Sequence, residues 1–282
     1  MEKILCPVDL RPDTLNALEA AAHLASAHQA QLVLLHVFTK QEYEAALGDG
    51  DLADVDAVEL SQQMAMDSLC DTLRQDFPNL NCSSVIRYGS TITSILEEAT
   101  AIKSNLIVMG SHGVHSITEA MDGNHPVKVI GQAPCPVLCV PEGAVFEFPD
   151  RVVYGSRMKQ EDPDCLQRLI TILHPFNSRL DVVYVGEAAT ATREKWLAHE
   201  QMIRSYVLYE HMRFHIFHWE DKAYPGLDEF MQRMDGKLLV LLTHQRNYLQ
   251  RLFQKSVFKQ ITYFSDYPML VFLEDHLSTA ER

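Results

Sequence analysis

The chain carries the same series of strand-like segments twice, and this repeat limits its fold more than any other feature. Arg151–Arg157 matches the opening segment Lys3–Asp9 at an offset of 148 residues, and Val182–Val185 matches Leu34–Val37 at the same offset. In each copy, apolar strand-like runs alternate with segments whose apolar residues recur at helical spacing. Such alternation is typical of a parallel, doubly wound sheet. The pattern therefore indicates a tandem duplication of one α/β unit.

The repeat also sets the domain boundaries. Leu239–His244 matches Ile107–His112, but at a smaller offset of 132 residues, so the second copy lacks sixteen residues between its second and fourth strands. We predict a first domain over residues 1–143 and a second over residues 150–276. The 282 residues suffice for two domains of ordinary size. Each should hold a five-stranded parallel sheet flanked by helices.

Composition excludes several classes of function. The apolar and charged contents of 47% and 22% are those of a soluble globular protein. No apolar run is long enough for a signal peptide or a membrane span, so we expect a cytoplasmic protein. The net charge is −14, of which residues 1–145 carry −12. Nucleic acid is therefore not an expected partner, because phosphate contacts need a basic surface.

One stretch of the first copy has the pattern of a phosphate site. Leu106–Met109 is an apolar run that reads as a buried strand, and we expect Gly110 to end it. Gly110 and Gly113 would let the backbone approach a ligand closely, since neither carries a Cβ. Gly123 precedes Asn124, a good helix N-cap, and a helix beginning there would direct unpaired N–H groups toward the loop.

No Lys or Arg lies between Ser104 and Val127. A polyphosphate at this loop would therefore depend on backbone N–H groups and on a divalent cation such as Mg²⁺.

Other features leave alternatives open. Residues 41–59 hold seven acidic and no basic residues, which fits either a solvated loop or a lid over the site; we expect the next helix to begin near Val58. The six cysteines are expected to be reduced, buried thiols. We predict no metal site, although the Cys135/Cys139 pair or a cluster of His112, His115 and His125 offers an alternative. Three bases four residues apart indicate a solvated helix face or a docking surface: Arg251, Lys255 and Lys259.

The duplicated five-strand unit and the string Gly110-x2-Gly113-x9-Gly123 together resemble a tandem universal stress protein, with the loop of that family's ATP-binding branch. The resemblance implies an adenine nucleotide alpha hydrolase-like fold and an adenine nucleotide ligand such as ATP or AMP. It also implies that the two units pair through their last strands, Pro136–Val140 and Pro268–Phe272, as an intramolecular pseudo-dimer, with a homodimer as a further possibility.

The resemblance assigns site residues one by one. Asp9, with Pro7 and Val8 before it, matches the carboxylate that contacts the adenosine, and Val37 matches the position whose backbone meets adenine. The phosphate loop corresponds to Met109, Gly110, His112, Gly113, Gly123, Asn124 and His125. The family usually has Ser or Thr after the third glycine, so Asn124 departs from its pattern. In the second copy Leu242, Gln245 and Lys255 replace the three glycines and Arg157 replaces Asp9, so we expect no equivalent nucleotide site there.

Three functions remain open from sequence. The first is a stress-response regulatory protein that binds an adenine nucleotide in its first domain. The second is a scaffold that interacts with an unidentified protein and binds no nucleotide. The third is a slow ATPase, but the sequence shows no paired carboxylates and no activated nucleophile near the loop, so we do not expect an enzyme.

Overall fold

The structure is a computed structural model that describes residues 1–9, 15–38, 53–111, 125–141, 150–186, 193–218, 223–243 and 267–277. It divides into two compact units, Met1–Phe146 and Glu147–Arg282. The long acidic segment up to residue 52 and the loop from His112 to Asn124 lie outside the described residues. Among the described residues, no helix is long and apolar enough to span a membrane.

Strands and helices alternate throughout the first unit. Its elements, in chain order, are β1 (Lys3–Val8), α1 (Leu15–His28), β2 (Gln31–Phe38), α2 (Ala53–Asp76), β3 (Asn81–Tyr88), α3 (Thr91–Ala101), β4 (Leu106–Ser111), α4 (His125–Ile130) and β5 (Val137–Pro141). Strands β1, β2, β4 and β5 are dominated by buried Val, Ile and Leu, as expected where helices cover both faces of a parallel sheet, whereas the edge strand β3 is mostly half-buried or exposed.

The order of the strands in this sheet is β3-β2-β1-β4-β5, and every neighbouring pair whose register is described is parallel. The chain therefore builds outward from β1 to β3 on one side and then returns to place β4 on the other side of β1. This reversal makes the boundary between β1 and β4 the topological switch point of the unit.

The second unit repeats this arrangement. Its elements are β6 (Arg151–Ser156), α5 (Asp162–Leu173), a 3₁₀ turn (His174–Phe176), β7 (Arg179–Gly186), α6 (Arg193–Tyr206), β8 (Met212–His218), α7 (Ala223–Met234), β9 (Leu238–Thr243), β10 (Met269–Leu273) and a second 3₁₀ turn (Glu274–His276). Taken in the order β8-β7-β6-β9-β10, its strands correspond one by one to β3-β2-β1-β4-β5 of the first unit. The predicted class, parallel α/β with helices flanking the sheets, is confirmed.

Three predicted boundaries were wrong. Gly110 does not end β4, because it still pairs with Val140 of β5 and the strand continues to Ser111. Helix α2 begins at Ala53 and not near Val58, so the last part of the acidic segment is helical; carboxylates in a first turn are favoured by the helix dipole. From the residues we also predict a helix from Thr91 to Ile102 with Thr91 able to cap it, whereas the N-cap of α3 is Ser90.

A buried cluster of ionisable side chains lies toward the amino ends of the strands in the second unit. Asp181 of β7 is completely buried, and its Oδ1 accepts hydrogen bonds from Arg179 and from His215 Nε2 at 2.8 Å. Its Oδ2 has no hydrogen-bond partner among the described residues and lies 3.9 Å from Arg151 Nε. Burial by itself would raise the pKa of Asp181, but the hydrogen bonds from His215 and Arg179 outweigh it, so the pKa is lowered.

Candidate functional site

Six of the predicted site residues lie together at one edge of the first sheet. Strands β2, β1 and β4 are neighbours, and their carboxyl ends meet at the switch point. The six residues occupy the last three positions of these strands or the position just after β1: Pro7, Val8, Asp9, Val37, Met109 and Gly110. In open α/β sheets, ligands bind in the crevice outside the carboxyl ends of the strands at such a point.

The remaining predicted residues are not placed. His112, Gly113, Gly123 and Asn124 lie outside the described residues, and His125 is described only as the first residue of α4. Pro126 follows it in the first turn of that helix, where a missing N–H costs no hydrogen bond.

The six clustered residues offer mostly backbone to a ligand. Val8, Val37 and Met109 have buried side chains, each no more than 8% exposed, so these positions can meet a bound group only through their main chain. Asp9 is half-buried and supplies the one charged side chain among the six. A ligand at this edge would therefore contact a carboxylate beside uncharged backbone.

Among the described residues, Gly110 borders open space at this edge. A Cβ built on it meets no atom of the described residues within 4 Å, and its φ lies outside the left-handed region. The strand conformation therefore does not require glycine at this position, and neither does packing among the described residues. In the second unit, by contrast, a Cβ built on Gly155 of β6 would lie 2.9 Å from Leu241 Cδ2. What glycine provides at Gly110 is room beside the main chain.

His36 holds the carboxyl end of β1 in place, a role that sequence reasoning missed. Its side chain is 4% exposed, and Nδ1 lies 3.0 Å from the carbonyl oxygen of Val8, with which its backbone is also in register. Because a carbonyl oxygen only accepts, Nδ1 must carry the hydrogen. The available signal was a histidine within an apolar strand, since a buried polar group needs a hydrogen-bond partner.

Replacing His36 by leucine should therefore weaken both the first unit and its ligand site. We expect a loss of about 1–3 kcal/mol in the free energy of unfolding, because the buried Val8 carbonyl loses its donor. At the nucleotide site predicted for this edge we also expect a roughly fivefold to tenfold weaker affinity, about 1 kcal/mol, because Val8 and Asp9 are less firmly held. Denaturant titration and calorimetry measure the two effects. His36→Gln keeps an N–H donor and should recover part of both, whereas equal loss in the two variants would contradict a hydrogen-bonding role.

The corresponding edge of the second unit is chemically different. Arg157 follows β6 where Asp9 follows β1, and Leu242 lies on β9 where Gly110 lies on β4. A shallow cleft here encloses about 220 Å³ including open solvent, and it is lined by Gly155, Arg157, Lys159, Asp162, Leu242 and Glu274. The sequence prediction that this unit holds no equivalent nucleotide site stays a prediction.

A buried hydrogen-bond network centred on Asp162 lies beside this cleft. Asp162, at the start of α5, is 1% exposed and accepts hydrogen bonds from the Tyr154 hydroxyl (2.8 Å) and the Ser156 hydroxyl (2.6 Å). His199 Nε2 of α6 lies 2.9 Å from the same carboxylate and 3.3 Å from Ser156 Oγ. Serine and carboxylate share one ring nitrogen, so the histidine cannot relay a proton between them as in a catalytic triad. The arrangement is structural.

Metal ligation finds no support in the described part of the chain, where no three His, Cys, Asp or Glu side chains are grouped closely enough to hold an ion. Cys135 and Cys139 are buried thiols, and burial raises the pKa of each to about 12. The alternative cluster of His112, His115 and His125 lies outside the residues whose side chains are described.

Comparisons with known proteins identify the family of the first unit. The model of the universal stress protein family matches residues 1–141. Universal stress protein Sll1654 of Synechocystis is 30% identical over 142 residues, which cover 49% of this chain and 84% of that protein. Universal stress protein A homolog 2 of Coxiella burnetii is 31% identical over 144 residues, covering 49% of this chain and 94% of that protein.

A solved structure extends the similarity in fold to nearly the whole chain. A universal stress protein from Archaeoglobus fulgidus superposes with a TM-score of 0.75 at 13% identity, over 95% of both chains. At this identity the match supports the fold alone, that of two tandem doubly wound α/β units. The family model and the curated relatives carry the assignment, and the chain belongs to the universal stress protein family.

Proposed function

We propose that the first unit binds an adenine nucleotide, ATP or AMP, and that the protein acts as a stress-response regulator through this binding. The observation that carries the proposal is the open space beside Gly110 at the switch point between β1 and β4. A glycine that neither strand geometry nor the described packing requires is explained by a ligand that comes close to the backbone. Asp9 on the adjacent strand would then contact the adenosine, and the main chain of Val37 would face the adenine.

The charge of the first unit sets the conditions for binding. Residues 1–145 carry a net charge of −12, and Asp9 adds a carboxylate at the proposed site itself. A nucleotide phosphate tail would be repelled by this field unless backbone N–H groups and a cation offset it. We therefore propose that a triphosphate binds together with Mg²⁺, held mainly by its own phosphate oxygens, whereas AMP depends less on the cation.

The proposed activity is binding and not catalysis. Among the described residues at this edge, Asp9 is the one carboxylate, and no second acid or lysine lies beside it on β1, β2 or β4. Phosphoryl transfer relies on cationic groups and a positioned nucleophile, which this set of side chains does not supply. Slow hydrolysis and the scaffold without nucleotide become outcomes of the test.

Isothermal titration calorimetry of the full chain with ATP, with and without Mg²⁺, and with AMP tests the proposal. We expect one site per chain, because Leu242 fills the position in the second unit that Gly110 leaves open in the first. We also expect ATP affinity, but not AMP affinity, to fall when Mg²⁺ is removed. No heat at millimolar nucleotide would contradict nucleotide binding and favour the scaffold. Phosphate release that disappears in Asp9→Ala would contradict binding without catalysis.

The cytoplasmic location and the pairing of the two units through their last strands stay predictions. An unidentified stress-response protein partner is part of the proposal.

A further inference from the structure

Two cysteines of the first unit lie in direct contact. Cys70 is on α2, Cys82 is on β3, and their Sγ atoms are 3.1 Å apart. Both are free thiols in the structure. The sulfur atoms need to approach by about 1 Å to reach the bonding distance of a disulfide. The two residues are twelve apart in sequence, and neither belongs to the proposed nucleotide site.

The packing of α2 on the edge strand holds this contact in place. Met66, Cys70 and Leu73 form the buried face of the helix, and β3 is the outermost strand of the first sheet. Polar contacts fix the register of helix and strand on the turn before Cys70: Ser84 Oγ donates to Asp67 at 2.9 Å, and Gln63 Nε2 lies within hydrogen-bond distance of both. The two sulfur atoms therefore meet because the fold places them together.

Arg74 anchors the pair from the other side. One turn beyond Cys70, its guanidinium donates to the carbonyl of Cys82 and to Asp71 at 2.6 Å, and its side chain is 46% exposed. The thiols are thus one side-chain layer below the surface, at the edge of the sheet. A small oxidant needs only a local displacement of this layer to reach them.

The electrostatics of the pair differ from those of the other thiols. The hydrogen bond from Cys82 lowers the pKa of Cys70 against the effect of burial; the charge of Arg74 lowers it further, whereas the charges of Asp67 and Asp71 raise it. Burial raises the pKa of Cys6 and Cys139 to about 12. Because the thiolate is the reactive form, Cys70 is the most nucleophilic sulfur of the pair, and Cys82, which donates to it, is placed to react second.

We propose that Cys70 and Cys82 form a hydroperoxide-reactive thiol pair that closes to an intramolecular disulfide. The Cys70 thiolate attacks hydrogen peroxide, the O–O bond breaks, and the sulfur becomes a sulfenic acid while hydroxide leaves and takes up a proton to form water. The Cys82 thiol then attacks the Cys70 sulfur, its proton leaves with the hydroxyl as a second water, and the S–S bond forms. The two thiols are oxidised by two electrons and the peroxide is reduced to two waters.

The disulfide would link the helix that follows the acidic segment to the edge strand of the first sheet. Such a bond stabilises mainly by restricting the unfolded chain. Oxidation should therefore make separation of α2 from β3 less favourable and keep the helix packed over the edge strand. This inference stands independently of the proposed nucleotide site, because it rests on a different face of the unit.

Peroxide treatment of the native full chain, followed by alkylation under denaturing conditions and mass spectrometry, tests the pair. The chain has six cysteines, and we expect the number of alkylated thiols to fall by two. A cross-linked peptide containing Cys70 and Cys82 should appear, with a mass loss of about 2 Da, and dithiothreitol should reverse it. Unchanged alkylation, a link between chains, or a disulfide that includes another cysteine would each overturn the proposal.

Variants separate geometry from reactivity. Cys82→Ser should leave Cys70 as a sulfenic acid that dimedone traps, whereas Cys139→Ala, the matched control, should still lose two thiols to the disulfide. Arg74→Gln should slow the loss of thiols several-fold, and Arg74→Lys, which keeps the charge, should restore much of the rate. Circular dichroism shows whether each variant is folded before treatment. Equal rates in Arg74→Gln and the wild type would overturn the activation of Cys70 by Arg74, and disulfide formation in Cys82→Ser would overturn the pairing itself.

Discussion

Replacing Gly110 by valine should abolish nucleotide binding by the first unit and leave its thermal unfolding nearly unchanged. We expect the dissociation constant for ATP with Mg²⁺ to rise at least 100-fold, about 3 kcal/mol. The new side chain would occupy the space into which no described atom projects within 4 Å. Gly110 lies within β4 and pairs with Val140, and a β-branched residue suits a strand. We therefore expect the valine variant to fold as stably as the wild type.

The matched control is Gly155→Val in the second unit. A Cβ on Gly155 would lie 2.9 Å from Leu241 and 3.4 Å from Leu227, so valine should overpack the core and cost about 1–3 kcal/mol. Nucleotide binding should persist in this variant. Calorimetry and thermal melting of the two proteins therefore give opposite patterns of effect. Unchanged affinity in Gly110→Val would show that no ligand approaches the end of β4, and the proposed site would fall.

Replacing Asp162 by alanine should destabilise the second unit by about 3–5 kcal/mol, the largest stability effect that we expect from a single side chain. The carboxylate is 1% exposed and is the common acceptor for Tyr154, Ser156 and His199. Removing it leaves three buried polar groups without their main partner. The same change should not alter nucleotide binding by the first unit.

Asp164→Ala is the control, because Asp164 is exposed and lies two residues further along the same helix terminus. It should change the stability by no more than about 0.5 kcal/mol. Both tryptophans of the chain belong to the second unit, and Trp196 packs against His199 with ring centroids 5.9 Å apart. Tryptophan fluorescence in a denaturant titration therefore reports the relevant transition. A shift of similar size in the two variants would mean that the network contributes little beyond helix-terminal charge.

Much of the fold could be predicted from local patterns. The alanine and leucine residues between Leu15 and His28 recur at helical spacing and predict a helix with the bounds that α1 has, because this periodicity is a local property of the sequence. The end of β4 could not be predicted in this way. Glycine is a poor strand former in isolation, but the parallel partner β5 continues past Gly110 and extends the ladder to Ser111. Pairing with a strand from another part of the chain outweighed local preference.

The site shows the same division. The glycine string and Asp9 were visible as residues, and the resemblance gave them roles. The packing role of His36 depended on a carbonyl 28 residues earlier, and the contact between Cys70 and Cys82 depended on how α2 lies over β3. The spacing of residues in the sequence does not reveal either contact. The distance between two such side chains is set by strand order, by register and by how a helix packs on the sheet.

The sequence by itself determined the class of fold, the repeat and the acidic character of the first unit, because periodicity and charge are properties of the chain read in order. The tertiary structure decided which strand ends meet at the β1–β4 switch point, that no described atom lies near the space beside Gly110 while Gly155 is enclosed, and that two thiols touch. These facts depend on the positions of atoms from distant segments, and only the packed chain brings such segments together.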